Sequence, residues 1–385
     1  MNTQVPEAAV PAHNSRQHLL GLDGVRGLAI LMVMIGHFIV VGKHLDYKVD
    51  GQRFFTSGYL GVDLFFVLSG FLITGILIDA KGTPGYFKVF YIRRALRIFP
   101  LYYGLLALGW LSVIFITPGD KQVLTGHNSM AWYWLYASNI GMAVKGGWLA
   151  SPTWLGLGHF WSLAVEEQFY LVWPLIVMLL PVKWLQRLCV ALVISSPIIH
   201  AILQNQIGLL ATYVSTLNRL GVLAAGAWLA IMWRNPDGWK QVTRWLVPVT
   251  GFFGIILLIE RIFVIYPLAS CESFIMIFFG AGCVGLAANG DGAISRFIFE
   301  SRMLRWLGKY SYGIYVYHHA LKPVWMHFFW RGWIVPTIGS GWPGTFTYMA
   351  CATVASLLLA WLSWKFFESP ILSLKSRFTY RSRQR

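Results

Sequence analysis

Charge is what this sequence has least of. Only 12% of its 385 residues are Asp, Glu, Lys or Arg, with 15 acidic side chains in all. A soluble globular chain carries about 25%, so this one cannot clothe a water-facing surface, and the soluble class is excluded. Its four cysteines (Cys189, Cys271, Cys283 and Cys351) are scattered through apolar segments. No CxxC or Cys/His spacing occurs among them, which excludes a disulfide framework and a zinc site, and no bound metal is expected. Strict apolar/polar alternation is missing too, which excludes a transmembrane β-barrel. The chain shows no internal repeat and no polar break long enough for a second domain. Residues 1–18 are polar, and no small-residue cleavage site follows the first apolar stretch. That stretch is therefore expected to remain as the first helix rather than leave as a signal peptide.

What the chain does have is apolar and aromatic side chains. Hydrophobic residues make up 57%, with 19 Trp, 17 Tyr and 26 Phe. Apolar segments run at about 25–41, 59–78, 98–116, 131–144, 160–180, 187–204, 212–232, 245–265, 270–289, 307–329 and 346–367, most near the ~20 residues that cross a bilayer core. The expected fold is all-α and integral to the membrane. The formal net charge of +16 then reads as positive-inside topology and contact with anionic lipid, with no nucleic-acid partner. Loops 79–97, 181–187, 233–244 and 290–309 and the tail from 365 hold most of the 31 Lys and Arg residues. They share one side only if the short, Trp- and Tyr-rich segment 131–144 stays interfacial or re-entrant. The expectation is about ten transmembrane helices with both termini cytoplasmic. Residues 1–18 would be a disordered tail, 19–370 the membrane domain and 371–385 a basic tail. Loop 42–58, with Lys43, Lys48 and Arg53, fits this count least well.

Polar residues inside the apolar runs are costly and mark function. In the first helix Arg26 and His37 are eleven residues apart, about three turns, so they share one face about 16–17 Å apart along the axis. His37 is either an interior histidine satisfied by a neighbour or a proton acceptor for a hydroxyl. In the segment His159 to Tyr170, the residues His159, Glu166 and Tyr170 fall on one face, with Glu167 turned away. Glu166 either pairs with an intramembrane cation such as Arg219 or orients His37, as the acid of a hydrolase triad does. Arg93, Arg94 and Arg97 group at spacings of three and four ahead of Pro100. They serve either as membrane anchors or as a phosphate clamp. The small residues of Gly58 to Phe71 suit close helix packing, and Tyr312, Tyr315, His318 and His319 form a polar stripe.

The combination resembles the acyltransferase-3 family of bacterial membrane O-acyltransferases. The residues that carry the resemblance are Leu22-Asp23-Gly24 with Arg26-x10-His37, and Gly61-Val62-Asp63 through Ser69-Gly70-Phe71. Arg94-x-x-Arg97 with Pro100, Trp161-Ser162-Leu163-x-x-Glu166-x-Gln168-Phe169-Tyr170 and Ser311-Tyr312-x-x-Tyr315-x-x-His318 complete it. It covers about 18–370, with 181–300 matching as hydropathy alone. No fused hydrolase-like domain accompanies it, which implies the stand-alone form.

The resemblance implies transfer of an acyl group, usually acetyl, from cytoplasmic acyl-CoA to a hydroxyl in the bacterial inner membrane. The acceptor would be a cell-envelope polysaccharide or other glycan, a glycolipid or a small molecule. Acyl-CoA would come and go as donor substrate, with no permanently bound cofactor. His37, Glu166 and Arg26 are the expected catalytic residues. Arg93, Arg94, Arg97 and Ser69 would bind the donor, and Tyr170, His159, Tyr315 and His318 the acceptor. His37 would act as general base or carry the acyl group, and Ser69 or an arginine would face the oxyanion. The competing class is a transporter or flippase for a lipid or glycan intermediate, against which stand the missing inverted repeats and broken-helix pairs.

Overall fold

The computed structural model describes residues 19–41, 57–116, 129–151, 154–263, 272–290, 292, 293 and 295–380. The tail 1–18, loop 42–56 with Lys43, Lys48 and Arg53, and residues 381–385 of the basic tail lie outside the described residues. Regular structure among the described residues is helical throughout, with no strand. Apolar runs in hydrocarbon have no water to bond, so each must satisfy its own backbone, and the helix does this within one segment.

The long helices in chain order are α1 (Leu20–Ile39), α2 (Leu60–Ala80), α3 (Tyr86–Ile116), the short α4 (Ser138–Lys145), α5 (Trp161–Leu179), α6 (Val182–Val214), α7 (Thr216–Trp233), α8 (Pro236–Ile262), α9 (Glu272–Asn289), α10 (Arg302–Ala320) and α11 (Trp342–Ser363). Eight of the helical stretches among the described residues are long and apolar enough to cross a membrane. Helices α3 and α10 occupy the other two places where the sequence predicts a span.

Two predicted segments are interrupted. Segment 131–144 breaks at Tyr136, whose φ is 50°, and only the eight residues of α4 follow as helix. At about 1.5 Å per residue α4 is far too short to cross, as expected of an interfacial piece. The predicted span 307–329 is not one helix. Helix α10 ends at Ala320, a short turn Lys322–Trp325 follows, and a π-helical stretch covers Met326–Ile334. Pro323 follows Leu321 by two residues, and a proline cannot continue the hydrogen-bond ladder of the preceding helix.

Two crossings position the site. Helix α1 lies against α10 with no side chain between them where they touch: a Cβ on Gly27 would come within 1.9 Å of Leu304 O, and one on Gly308 within 1.8 Å of Asp23 O. Helices α2 and α7 meet the same way, Gly70 against Leu223 O and Gly226 against Val67 O, each at 1.9 Å from an added Cβ. Such contact lets backbones approach where lipid offers no hydrophobic drive. Buried pairs add to it. Arg219 Nη1 donates to Asp63 Oδ1 at 2.9 Å, and its other nitrogens reach Tyr213 O. Arg261 bridges Glu260 and Glu272.

Candidate active site

The site is built in layers between α1, α2, α3, α5 and α10. At one end is a cavity of about 110 Å³ whose lining includes Arg26, Ser69, Arg94, Arg97, Glu166, Tyr170 and Tyr315. Seven predicted site residues thus come together from five helices. Arg26 Nη1 donates to Asp23 Oδ1 at 2.6 Å within α1. Arg94 and Arg97 line the cavity without an ion pair or hydrogen bond among the described residues. The two half-buried guanidiniums share the cavity with the Glu166 carboxylate, which hydrogen-bonds to Ser69 and Tyr170 instead, so their N–H donors are left for a further acceptor. Arg93 is separated from them. Its Nη1 donates to Phe378 O at 2.9 Å, tying α3 to the C-terminal segment.

Glu166 has partners other than those expected. Ser69 Oγ donates to its Oε1 at 2.8 Å and Tyr170 Oη to its Oε2 at 3.0 Å. Arg219, the other candidate partner, is taken by Asp63. The hydrogen bonds of Glu166 therefore organise the cavity beside the arginines. They do not steady His37.

At the wall of the cavity Tyr315 and Ser162 bond to each other through their hydroxyls, and Tyr315 Oη also donates to His159 O at 3.0 Å. Four histidines form the next layer. The His37 ring lies 5.1 Å from that of His318 and 4.6 Å from that of His319, and His159 lies 5.3 Å and 4.8 Å from the same two. His37, His159 and His318 line neither this cavity nor the one beyond. His159 sits in the turn ahead of α5, its ring nitrogens against Gly156 O and Tyr315 O. So it does not share the cavity with Glu166 and Tyr170.

The hydrogen-bond pattern fixes the proton positions on the central pair. His318 Nδ1 faces Ile314 O at 3.0 Å and Tyr315 O at 2.8 Å. Carbonyls only accept, so Nδ1 of His318 carries the proton, and in a neutral ring Nε2 is then an acceptor. His37 Nδ1 lies 2.9 Å from that Nε2 and must be its donor. The lone pair of His37 is left on Nε2. By the same logic His319 Nδ1 donates to Gly156 O at 2.8 Å, leaving Nε2 of His319 unprotonated. His318, expected on the acceptor side, is the ring whose Nε2 accepts from His37 Nδ1.

Two features escaped the sequence reading. Gln168 takes no part in the cavity. With Asn139 and Thr216 it forms a clamp, donating to Tyr136 O and Asn139 Oδ1 at 3.0 and 2.9 Å, which fixes α4 against α5 and α7. Lys322 donates from Nζ to His37 O at 2.7 Å. Its position inside the predicted span 307–329 gave no hint of that contact. Among the described residues no group of three or more His, Cys, Asp or Glu side chains is placed to hold a metal ion.

A family model described as an acyltransferase domain matches residues 19–365. The chain is 27% identical to the peptidoglycan O-acetyltransferase OatA of Listeria monocytogenes over 93% of its own length and 56% of that relative. It is 28% identical to YrhL of Bacillus subtilis, provisionally named a peptidoglycan O-acetyltransferase, over 93% and 56%. It is 26% identical to a provisionally named O-acetyltransferase of Staphylococcus aureus over 93% and 58%. The chain thus spans a little over half the length of these relatives. No solved structure matches it.

Proposed function

This chain belongs to the acyltransferase-3 family, and we propose that it moves an acetyl group from cytoplasmic acetyl-CoA to a hydroxyl of a cell-envelope glycan. The observation that carries the reading is a single line of groups along α1. Arg26 on α1 lines a cavity with Arg94 and Arg97 of α3, and His37, its Nε2 lone pair free to accept a proton, stands about three turns further along α1. Arg94 and Arg97 would take the donor's phosphates, for which a planar fork of N–H donors is suited. The pantetheine arm would enter the cavity beside Ser69 and Glu166. About 16–17 Å of α1 separates Arg26 from His37, which an extended arm of that order can bridge. The Tyr315–Ser162 layer has to open for the thioester to meet His37.

In the transfer step the acceptor oxygen attacks the thioester carbonyl carbon, and its proton passes to His37 Nε2. The C–S bond then breaks, and the imidazolium returns that proton to the thiolate, leaving an ester and CoA thiol. A route through an acyl group on His37 uses the same lone pair. Three relatives named as O-acetyltransferases, two of them for peptidoglycan, support a glycan acceptor. Membership and the apolar helices support a multi-pass inner-membrane protein, and the basic loops support cytoplasmic termini.

The test is purified protein with labelled acetyl-CoA and a muramyl disaccharide. Release of CoA matched by label on the sugar is expected, abolished in H37A with normal extraction and folding. Turnover of H37A within a few-fold of wild type would remove His37 from the mechanism. Movement of a glycan lipid across vesicles without turnover would replace the enzyme by a transporter.

A further inference from the structure

A second cavity, of about 440 Å³, lies on the far side of the histidine layer, lined by Trp154, Gly156, His319, Lys322, Pro323, Met326, His327 and Arg331. We infer that it is the acceptor subsite, and that it selects a saccharide carrying an anionic group, carboxylate or phosphate, near the hydroxyl to be acylated. The inference rests on the acyltransfer reading above and names the substrate class for it.

Position is the first argument. His319 lines this cavity, and its ring is 4.6 Å from that of His37. Lys322, also in the lining, holds His37 O with one of its three N–H donors. The cavity therefore abuts the proposed base from the side opposite the arginine mouth. A donor arm entering from one side and an acceptor from the other could meet at His37 without sharing a path.

Charge is the second argument. Lys322 and Arg331 line the cavity, and among the described residues no Asp or Glu does. Arg331 makes no ion pair or hydrogen bond among the described residues, and Lys322 has two N–H donors left after His37 O. In a chain with 12% charged residues, two such cations in one concavity of a membrane protein call for an anion. A neutral glycan needs hydroxyl and amide partners instead, and the lining offers few.

Shape is the third. The volume falls in the range of small-molecule sites, roughly 300–1,000 Å³. Trp154 is 37% exposed, its ring 6.1 Å from that of His327, and it offers a flat apolar face of the kind a sugar ring can cover. The same anion chemistry could come from a carboxylate on the sugar or from the phosphate of a lipid-linked glycan.

Equilibrium dialysis of the purified full chain decides it, with three labelled probes. These are a muramyl disaccharide with its free lactyl carboxylate, its methyl ester, and the ester disaccharide bearing a 1-phosphate. At least one anionic form is expected to bind ten-fold or more tightly than the neutral ester, and which one identifies the source. R331Q should remove most of that preference and leave acetyl-CoA binding unchanged, since the donor cavity is separate. K322M is the second variant, to be read with a thermal melt because it frees His37 O. Binding of all three forms within two-fold, binding of none, or an undiminished preference in both folded variants would overturn the inference. CoA release separates this from the parent reading. Equal acetylation of all three forms would sink the anion requirement alone. If no acceptor elicits turnover, the acyltransfer reading fails, and the dialysis still decides the site.

Discussion

His318→Phe tests the central pair most directly. His318 is fully buried, its ring stacked on His37 and edge-on to Phe38 at 6.0 Å. Phenylalanine keeps the stacking but is the larger ring, so an overpacking cost of about 1–3 kcal/mol accompanies it. What it removes is the acceptor for His37 Nδ1, 2.9 Å away. The carbonyls that face His318 Nδ1 belong to α10 and keep their helical partners. The His37 N–H is then unsatisfied, at about 1–3 kcal/mol, and the ring is free to place its proton on Nε2. At about 1.4 kcal/mol per decade, kcat falls roughly 5- to 150-fold. The reference case is a serine-protease triad whose orienting acid is changed to an amide. Its histidine takes the wrong tautomer at a cost of about 10⁴.

The measurements are CoA release against acetyl-CoA and the muramyl disaccharide, acetyl-CoA binding, and a melt. H318F should lose kcat with donor affinity little changed, and the melt measures the packing cost separately. H318Q should recover part of the loss, because its amide oxygen can sit where Nε2 was and accept from His37. A purely structural role predicts no such rescue. If H318F turns over within three-fold of wild type, or if H318Q is no better than H318F, the tautomer argument is wrong.

Other predictions concern the donor mouth, sidedness and the crossings. Arg94→Ala and Arg97→Ala should each weaken acetyl-CoA binding roughly 10- to 150-fold, the range for charge-assisted hydrogen bonds of about 1.5–3 kcal/mol; lysine should restore only part, and normal calorimetric binding by both alanine variants would reduce the cluster to an anchor. Arg93→Ala should leave donor binding within two-fold, because its guanidinium is engaged at Phe378 O. In oriented vesicles acetyl-CoA should work only from the cytoplasmic face and an impermeant acceptor only from the other; labelling of an acceptor confined to the cytoplasmic side would refute the two-sided path. Gly226→Val drives a side chain into Val67 O, 1.9 Å from an ideal Cβ, and should cost about 1–3 kcal/mol or more, seen as a lower melting temperature in detergent.

How far the sequence could be read depended on the sequence distance between partners. Arg26 and His37 lie on one helix, so periodicity alone related them. Arg94 and Arg97 were legible for the same reason, although spacing could not show that Arg93 turns to Phe378 O. The partner of His37 stands 281 positions away. Nothing in a single chain's spacing distinguishes that pairing from one with Glu166, the nearest candidate of the expected chemical type. Glu166 was likewise singled out as a candidate, but its bond to Ser69 spans 97 positions. The span count suffered from local backbone events. Hydropathy averages over Tyr136 and over Leu321 to Pro323, whereas a left-handed residue or a proline ends a helix at one position. Lys322 was hidden because its role runs through a backbone carbonyl.

Among the described residues His37 Nδ1 is held by a histidine rather than a carboxylate, and that choice has a physical logic of its own. In water-facing hydrolases an acid holds the histidine and stabilises the imidazolium. Inside an apolar bundle a permanent carboxylate there would need its own compensation at all times, since an unpaired buried charge is far costlier than a neutral polar group. A second neutral histidine fixes the tautomer with a hydrogen bond and adds no charge to the resting site. The cost falls on the imidazolium, which then lacks a counter-ion and must be short-lived. That favours a step in which proton uptake from the hydroxyl and release to the departing thiolate are closely coupled. On the proposed reading the ionic groups are kept where ionic ligands would arrive. Arg94 and Arg97 line one cavity and Lys322 and Arg331 the other, with Tyr315, Ser162 and the histidines between. Placing a carboxylate in that layer by His318→Glu therefore tests the division of labour. It should stabilise a protonated His37 and depress transfer below the glutamine variant at neutral pH. A glutamate variant more active than the glutamine one would show that the site lacks a charge it can use.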